Sequence, residues 1–166
     1  MMGVPVGRLQ AEIKEWMGTP YKHMGREKQV SIDCGGLVLL TLRNCGIISH
    51  AEENRFYSKN WFCHTTDEFL LNIILEHFEK YNAGYNIKKL DITEDFSDFD
   101  ILLFNHPSIV PACHASFYLS PGKLVHCFES CLVKYAQFRA WKAKLKYVLR
   151  IQKSQRQPTQ RELSQL

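Results

Sequence analysis

The sequence predicts an α+β domain, with N-terminal helices packed on an antiparallel β-sheet. Two observations carry this. Up to Tyr81 the apolar residues recur at the three-to-four spacing of amphipathic helices, and beyond Ile87 they cluster in short strand-like runs separated by turn residues. Helices first and strands second is the order of a segregated α+β fold rather than of alternating βαβ units. The chain, at 166 residues, has the length of one domain with room for a sizeable core.

The first helix spans 6–17, where Val6, Leu9, Ile13, Trp16 and Met17 share a stripe that Gly18 and Pro20 end. Segment 19–32 reads as a loop carrying Gly25, Arg26, Glu27 and Lys28, placed to wall a cleft beside Cys34. The second helix starts at Cys34 with Asp33 as its N-cap, and runs through Leu37, Val38, Leu40 and Leu42 to a stop at Gly46. Apolar residues cover most of its circumference, which predicts a helix buried on several sides. Segment 50–64 is irregular and carries Tyr57, Trp61 and Phe62. Thr65 and Glu68 have the spacing of a capping box opening a third helix, with Phe69, Leu70, Ile73, Ile74, His77, Phe78 and Tyr81 on one stripe. His77 there reads as a core or rim histidine.

Strands are expected at 101–105, 114–119, 124–128, 132–135 and 145–151, and Ser120-Pro121-Gly122 joins two of them as a tight hairpin. From Gln152 the apolar pattern stops, so the domain is drawn as 1–151 and 152–166 as a polar, disordered or loosely docked tail.

Composition narrows the function classes. With 45% hydrophobic and 23% charged residues, a net charge of +4 and a pI near 8.7, the chain reads as an ordinary globular domain whose mild basicity suits an anionic polymer. It has no nucleic-acid motif and no phosphate-cradling glycine loop, so no nucleic-acid partner and no cofactor are expected. No secretory signal is visible at the start, and no stretch is long enough to span a bilayer. Synthesis in a cytoplasm follows as the expectation, with the six cysteines, at 34, 45, 63, 113, 127 and 131, kept as thiols.

Candidate chemistry begins at Cys34. At the first position of a helix, unsatisfied N–H groups and the helix dipole favour a thiolate. Alone, Cys34 reads first as a small residue packed at a helix start, and only second as a nucleophile. A three-residue hairpin loop would set Leu119 opposite Lys123 and Ser116 opposite His126. Period-two alternation then places His114, Ser116, Leu124 and His126 on one sheet face, with the imidazoles as diagonal neighbours roughly 7–8 Å apart at Cα. A thiol nucleophile needs one imidazole to take its proton and a second group to orient the first. Two unrelated histidines on a half-buried strand pair fit the spacing as well. Zinc is the competing chemistry for Cys113-His114 and His126-Cys127, but adjacent strand residues point to opposite faces and cannot converge on one tetrahedral centre without a bulge; no metal site is expected.

Several motifs occur together and in order: Gly18-Thr19-Pro20-Tyr21, Asp33-Cys34-Gly35-Gly36-Leu37-Val38, Asp100-Ile101-Leu102-Leu103-Phe104, His114-Ala115-Ser116-Phe117-Tyr118-Leu119 and Gly122-Lys123-Leu124-Val125-His126. In that order they resemble the NlpC family of papain-like cell-wall cysteine peptidases, over about residues 8 to 150. Segment 57–71 also resembles the phage-tail-associated branch. The resemblance implies a papain-like α+β core and a peptidase that cuts peptidoglycan stem peptides, commonly between D-γ-glutamate and a diamino acid. It implies Cys34 as nucleophile, His114 as general base and later acid, and His126 as the orienting third member. Tyr21 would line the site near the oxyanion, and Asp33 would help hold the free amine of the substrate's first residue. Three positions depart from the family: Gly35 stands where serine is usual, and Phe99 and Ser116 stand where glycine is usual.

The leading expectation is therefore a cysteine-type endopeptidase acting on peptidoglycan peptides or another peptide substrate. It would act at the cell wall if delivered there, by a phage tail or a secretion machine as partner, and otherwise in the cytoplasm. Two alternatives stay open: an amidase, deamidase or acyltransferase with the same triad, and a non-catalytic module of a larger assembly that docks through 57–62 and the basic tail.

Overall fold

A computed structural model describes residues 4–52 and 57–154. Helix α1, Val6–Trp16, buries Leu9, Ile13 and Trp16. Helix α2, Cys34–Asn44, has every residue from Gly35 to Leu42 buried, as its apolar circumference predicts. Leu37, Leu40 and Leu42 alone each contribute about 2 kcal/mol of burial. Helix α3, Phe69–Tyr81, buries Leu70, Leu71, Ile73, Ile74, His77 and Phe78 on its inner face.

Between α1 and α2 the expected loop contains a small antiparallel hairpin, β1 (Arg26–Glu27) and β2 (Ser31–Ile32), with Arg26 opposite Ile32. After α3 come β3 (Tyr85–Leu90), β4 (Ile101–Phe104), β5 (His114–Leu119), β6 (Lys123–His126), β7 (Lys134–Gln137) and β8 (Leu145–Lys153). They form one antiparallel sheet in the order β3-β8-β4-β5-β6-β7. This is the expected α+β architecture, and Leu119 pairs with Lys123 across the hairpin as the three-residue loop requires. Gly122, at φ +64, supplies the left-handed turn residue.

Four expectations need correction. Thr65 and Glu68 do not form a capping box: α3 starts at Phe69 with no side-chain cap. Glu68 instead reaches across to Lys146, to the Tyr147 hydroxyl at 3.1 Å and to the Ala112 N–H at 2.9 Å, because a buried-side lysine and an orphan amide bind a carboxylate more strongly than its own helix end does. Strand β3 was not expected, since its exposed polar residues break the apolar alternation; backbone pairing from Tyr85–Lys153 to Leu90–Val148 makes it. The strand expected at 132–135 sits at Lys134–Gln137, because Val133 exchanges hydrogen bonds with Gly18 and Thr19 instead. Finally, β8 passes the expected domain edge at 151, its polar Gln152 and Lys153 paired with Asn86 and Tyr85. Residues 155–166 of the expected tail lie outside the described residues.

The sheet has two buried faces. One packs Ile101, Leu103, Ala115, Phe117, Val125, Leu149 and Ile151 into the core shared with the helices. The other carries Leu102, Phe104, Leu124 and Val148, covered by Phe96, Tyr118, Phe138, Trp141 and Leu145. His114, Ser116 and His126 belong to this second face by strand alternation, and all three are buried.

Candidate active site

Asp33 organises the first half of the site. Its backbone is extended and Oδ1 accepts the Gly36 N–H at 2.7 Å, the N-cap bond that starts α2 at Cys34. The same oxygen meets Arg26 Nη1 at 2.9 Å. Oδ2 accepts the Met24 N–H at 2.8 Å and the Tyr57 hydroxyl. A carboxylate offers about four lone-pair positions, so these four donors occupy all of them. The carboxylate is 4% exposed. Gly36 has no room for a side chain, since a Cβ there would stand 2.7 Å from Arg26 Nη1. Gly35 does have room, its nearest neighbour Leu70 being at ordinary contact distance.

Cys34 is partly exposed at the floor of a cleft. The expected thiolate is not the favoured form in this setting. Burial, and then the Asp33 charge, push the thiol up to about 12, against the N–H groups of Ala115 and Gly35, which act the other way. The helix terminus is therefore outweighed by desolvation and a neighbouring carboxylate.

His114 and His126 meet as the hairpin register predicts: His114 Nε2 and His126 Nδ1 are 2.9 Å apart. The pair sits in an aromatic box. Trp141 stacks obliquely on His114 with centroids 5.0 Å apart and edge-on to His126 at 4.8 Å, while Phe128 and Phe104 close the remaining sides. Burial, and then the neighbouring imidazole, hold His114 well below the ordinary histidine range; burial, and then Lys134, do the same for His126. Both rings are held neutral. Among the described residues His126 Nε2 has no hydrogen-bond partner.

Cys34 and His114 line the same cleft, and Tyr21 stands between its two arms. Tyr21 is fixed by its N–H bond to the Cys131 carbonyl at 2.9 Å and a bridge to Ile32. Burial and the nearby Cys34 push its phenol up, so it remains a neutral donor. One narrow arm runs between α2 and α3 and is walled by Arg26, Asp33, Leu39, Tyr57, Trp61 and Ile73. The other runs past His114 to Asn105, Trp141, Lys144 and Glu129. Cys113 lies in both; Cys127 borders the second arm, with its thiol directed into the helix-side core towards the Ile32 carbonyl. The histidines and Cys127 thus face opposite sides of the sheet.

The structure brings together all five residues singled out from the sequence. Phe128 and Trp141 were not singled out, and Arg26 and Tyr57 were not assigned to the site's chemistry. Tyr57 and Trp61, read as docking residues, pack on Phe69 at 5.6 and 5.1 Å and roof the first arm. No sequence pattern marks Trp141, since it reaches the histidines from an irregular segment after β7.

No family model matches the chain, and no curated protein matches it. Solved structures do. The chain is similar to the NlpC/p60 domain of the peptidoglycan hydrolase SagA, with TM-score 0.55 and 16% identity over 89% of this chain and 99% of that one. It is similar to an NlpC/P60 family protein from Bacillus cereus, with TM-score 0.57 and 15% identity over 87% of this chain and 40% of that one. It is also similar to NlpC2 from Trichomonas vaginalis, with TM-score 0.57 and 17% identity over 89% of this chain and 47% of that one. The chain therefore spans less than half the length of the latter two proteins. The fold is that of the NlpC/P60 domain. No helix among the described residues is long and apolar enough to cross a membrane.

Proposed function

We propose that this chain, folded as an NlpC/P60 domain, is a cysteine peptidase that hydrolyses peptidoglycan stem peptides at the bond between D-γ-glutamate and a diamino acid. The observation that carries the reading is the 2.9 Å contact of the buried His126 with His114, which lines a cleft together with Cys34 at a helix N-terminus.

His114 Nε2 is engaged by His126, so Nδ1 is the nitrogen left to serve the thiol. In the tautomer this requires, His114 Nε2–H donates to His126 Nδ1, and His126 carries its own proton on Nε2, among Trp141 and Phe128. Cys34 Sγ attacks the scissile carbonyl carbon as its proton passes to His114 Nδ1. The oxyanion that forms is met by the Cys34 backbone N–H and by the Tyr21 hydroxyl. As the C–N bond breaks, His114 returns the proton to the leaving amine, and a thioester remains on Cys34. Water then attacks the thioester, giving a proton to His114 and a carboxylic acid to the product, and the thiol is re-formed.

Because burial and the Asp33 charge raise the thiol while burial and His126 lower the imidazole, the two rest as a neutral pair and exchange their proton only when attack begins. Incubating the purified protein with stem peptides and following new amines tests the reading. Release by the wild type and none by folded Cys34→Ala is the expected result; equal release by both contradicts it.

A further inference from the structure

The cleft holds a second accessible thiol that the peptidase steps do not use. Cys34 and Cys113 both line the two arms where these meet, and each is partly exposed. Cys113 continues β5 by one residue, its N–H donating to the Phe104 carbonyl at 2.9 Å. Strand alternation therefore puts its side chain on the helix-side face with Ala115 and Phe117, opposite to that of His114. The Ala115 N–H is directed at the Cys34 sulfur, so the nucleophile lies over this strand two residues from Cys113. Phe117, the next residue on that face in the other direction, is fully buried core. Cys127 reaches the same face from β6, but it is fully buried and donates to the Ile32 carbonyl at 3.8 Å. Cys63 is exposed and lines neither arm.

We propose that Cys113 is a resolving thiol for Cys34: a hydroperoxide entering the cleft oxidises the nucleophile, and Cys113 captures it as a reversible Cys34–Cys113 disulfide. With hydrogen peroxide, the Cys34 sulfur attacks one peroxide oxygen and the O–O bond breaks. The thiol proton, passed through His114, leaves with the other oxygen as water, and Cys34 becomes a sulfenic acid. The Cys113 sulfur then attacks the Cys34 sulfur, the S–O bond breaks, and the departing hydroxide takes the Cys113 proton as a second water. The two thiols together lose two electrons and the peroxide gains them. A sulfenic acid with no thiol beside it is open to further oxidation to the sulfinic acid, which added thiols do not reverse. Cys113 thus keeps oxidation of the nucleophile recoverable. That the disulfide silences the chain and reduction restores it rests on the peptidase reading; the thiol pair itself does not.

The test reads the sulfur atoms directly. Reduced full-length protein is treated with hydrogen peroxide, its free thiols are capped with N-ethylmaleimide, and a non-reducing digest is mapped by mass spectrometry. The expected product is one cross-linked peptide pair, Cys34 to Cys113, lighter by two hydrogens, with Cys34 capped again once dithiothreitol is added. Cys113→Ser, checked for folding by circular dichroism, should form no such link and should recover at least about tenfold less cappable Cys34 after dithiothreitol, the remainder being sulfinic acid. Cys127→Ser should leave the link unchanged. A link from Cys34 to Cys127 or to Cys63, sulfinic acid at Cys34 in wild type and Cys113→Ser alike, or no change at Cys34 overturns the inference. The Cys34–Cys113 link in a protein that cuts no stem peptide when reduced would uphold the thiol pair and remove the peptidase reading. Cleavage by peroxide-treated protein at the reduced rate, with the link absent, would remove the pair and leave that reading in place.

Discussion

His114 Nε2 and His126 Nδ1 share one hydrogen bond of 2.9 Å, and Trp141 contacts both rings. In the proposed mechanism the second histidine acts through the first, by fixing which nitrogen of His114 bears the proton. His126→Ala should lower kcat about 10²- to 10⁴-fold with KM little changed, since no substrate contact is lost. His126→Asn, which keeps an acceptor for His114 Nε2–H, should recover part of it. Steady-state kinetics on stem peptide checks both.

Trp141 is half-buried over this pair, so Trp141→Ala should both destabilise the fold, by about 2 kcal/mol, and admit water to the imidazoles. Urea unfolding reads the first effect. A rise of the His114 and His126 pKa values towards the ordinary range, followed by NMR titration, reads the second.

Stability should fall on acidification. Both imidazoles have folded-state pKa values lowered from 6.5, so below that pH the unfolded chain binds protons that the folded chain refuses. Each contributes about 1.4 kcal/mol of lost stability per pH unit as pH falls below 6.5, until its folded pKa is reached. Urea unfolding between pH 7 and pH 5 should show this loss, and His114→Gln/His126→Gln should flatten it.

The two glycines after Cys34 should behave differently. Gly35→Ser adds a Cβ at 3.4 Å from Leu70 Cδ1, an ordinary contact, and should leave stability within about 1 kcal/mol of wild type. Gly36→Ser drives a Cβ against Arg26 Nη1, Asp33 Oδ1 and Ile32 Cδ1, and should cost about 1 to 3 kcal/mol. Thermal unfolding separates them.

Phe99 stands where the family usually has glycine, and its φ is +67, the conformation glycine tolerates best. The ring is buried and lies 5.7 Å from Phe117. Phe99→Gly would relieve about 1 to 2 kcal/mol of backbone strain but forfeit the larger core term, for a net loss of about 2 to 4 kcal/mol.

Much of this arrangement was legible in the sequence because it depends on local periodicity. Asp33 before an apolar run gave the start of α2, and the spacing of His114, the turn at Gly122 and His126 gave the pairing of the imidazoles. What was not legible depends on contacts between distant segments. The capping-box spacing at Thr65 and Glu68 is satisfied locally, but Glu68 is drawn to Lys146 and Ala112, partners that no window around residue 68 contains. Arg26 reads as one charge among three in a loop until the β1–β2 hairpin lays it against Asp33. The thiolate expected at Cys34 follows from the helix end alone, and the burial that reverses it comes from the opposing sheet and roof.

The central claim is a covalent acyl-enzyme on Cys34, formed with His114 as base. Intact-protein mass spectrometry after acid quenching, during turnover of a stem peptide, tests it most directly. The account predicts an adduct equal in mass to the acyl half of the peptide, mapped to Cys34, lost in Cys34→Ala and strongly reduced in His114→Ala. Peptide cleavage with no adduct, or an adduct at Cys113 that persists in folded Cys34→Ala, would contradict it.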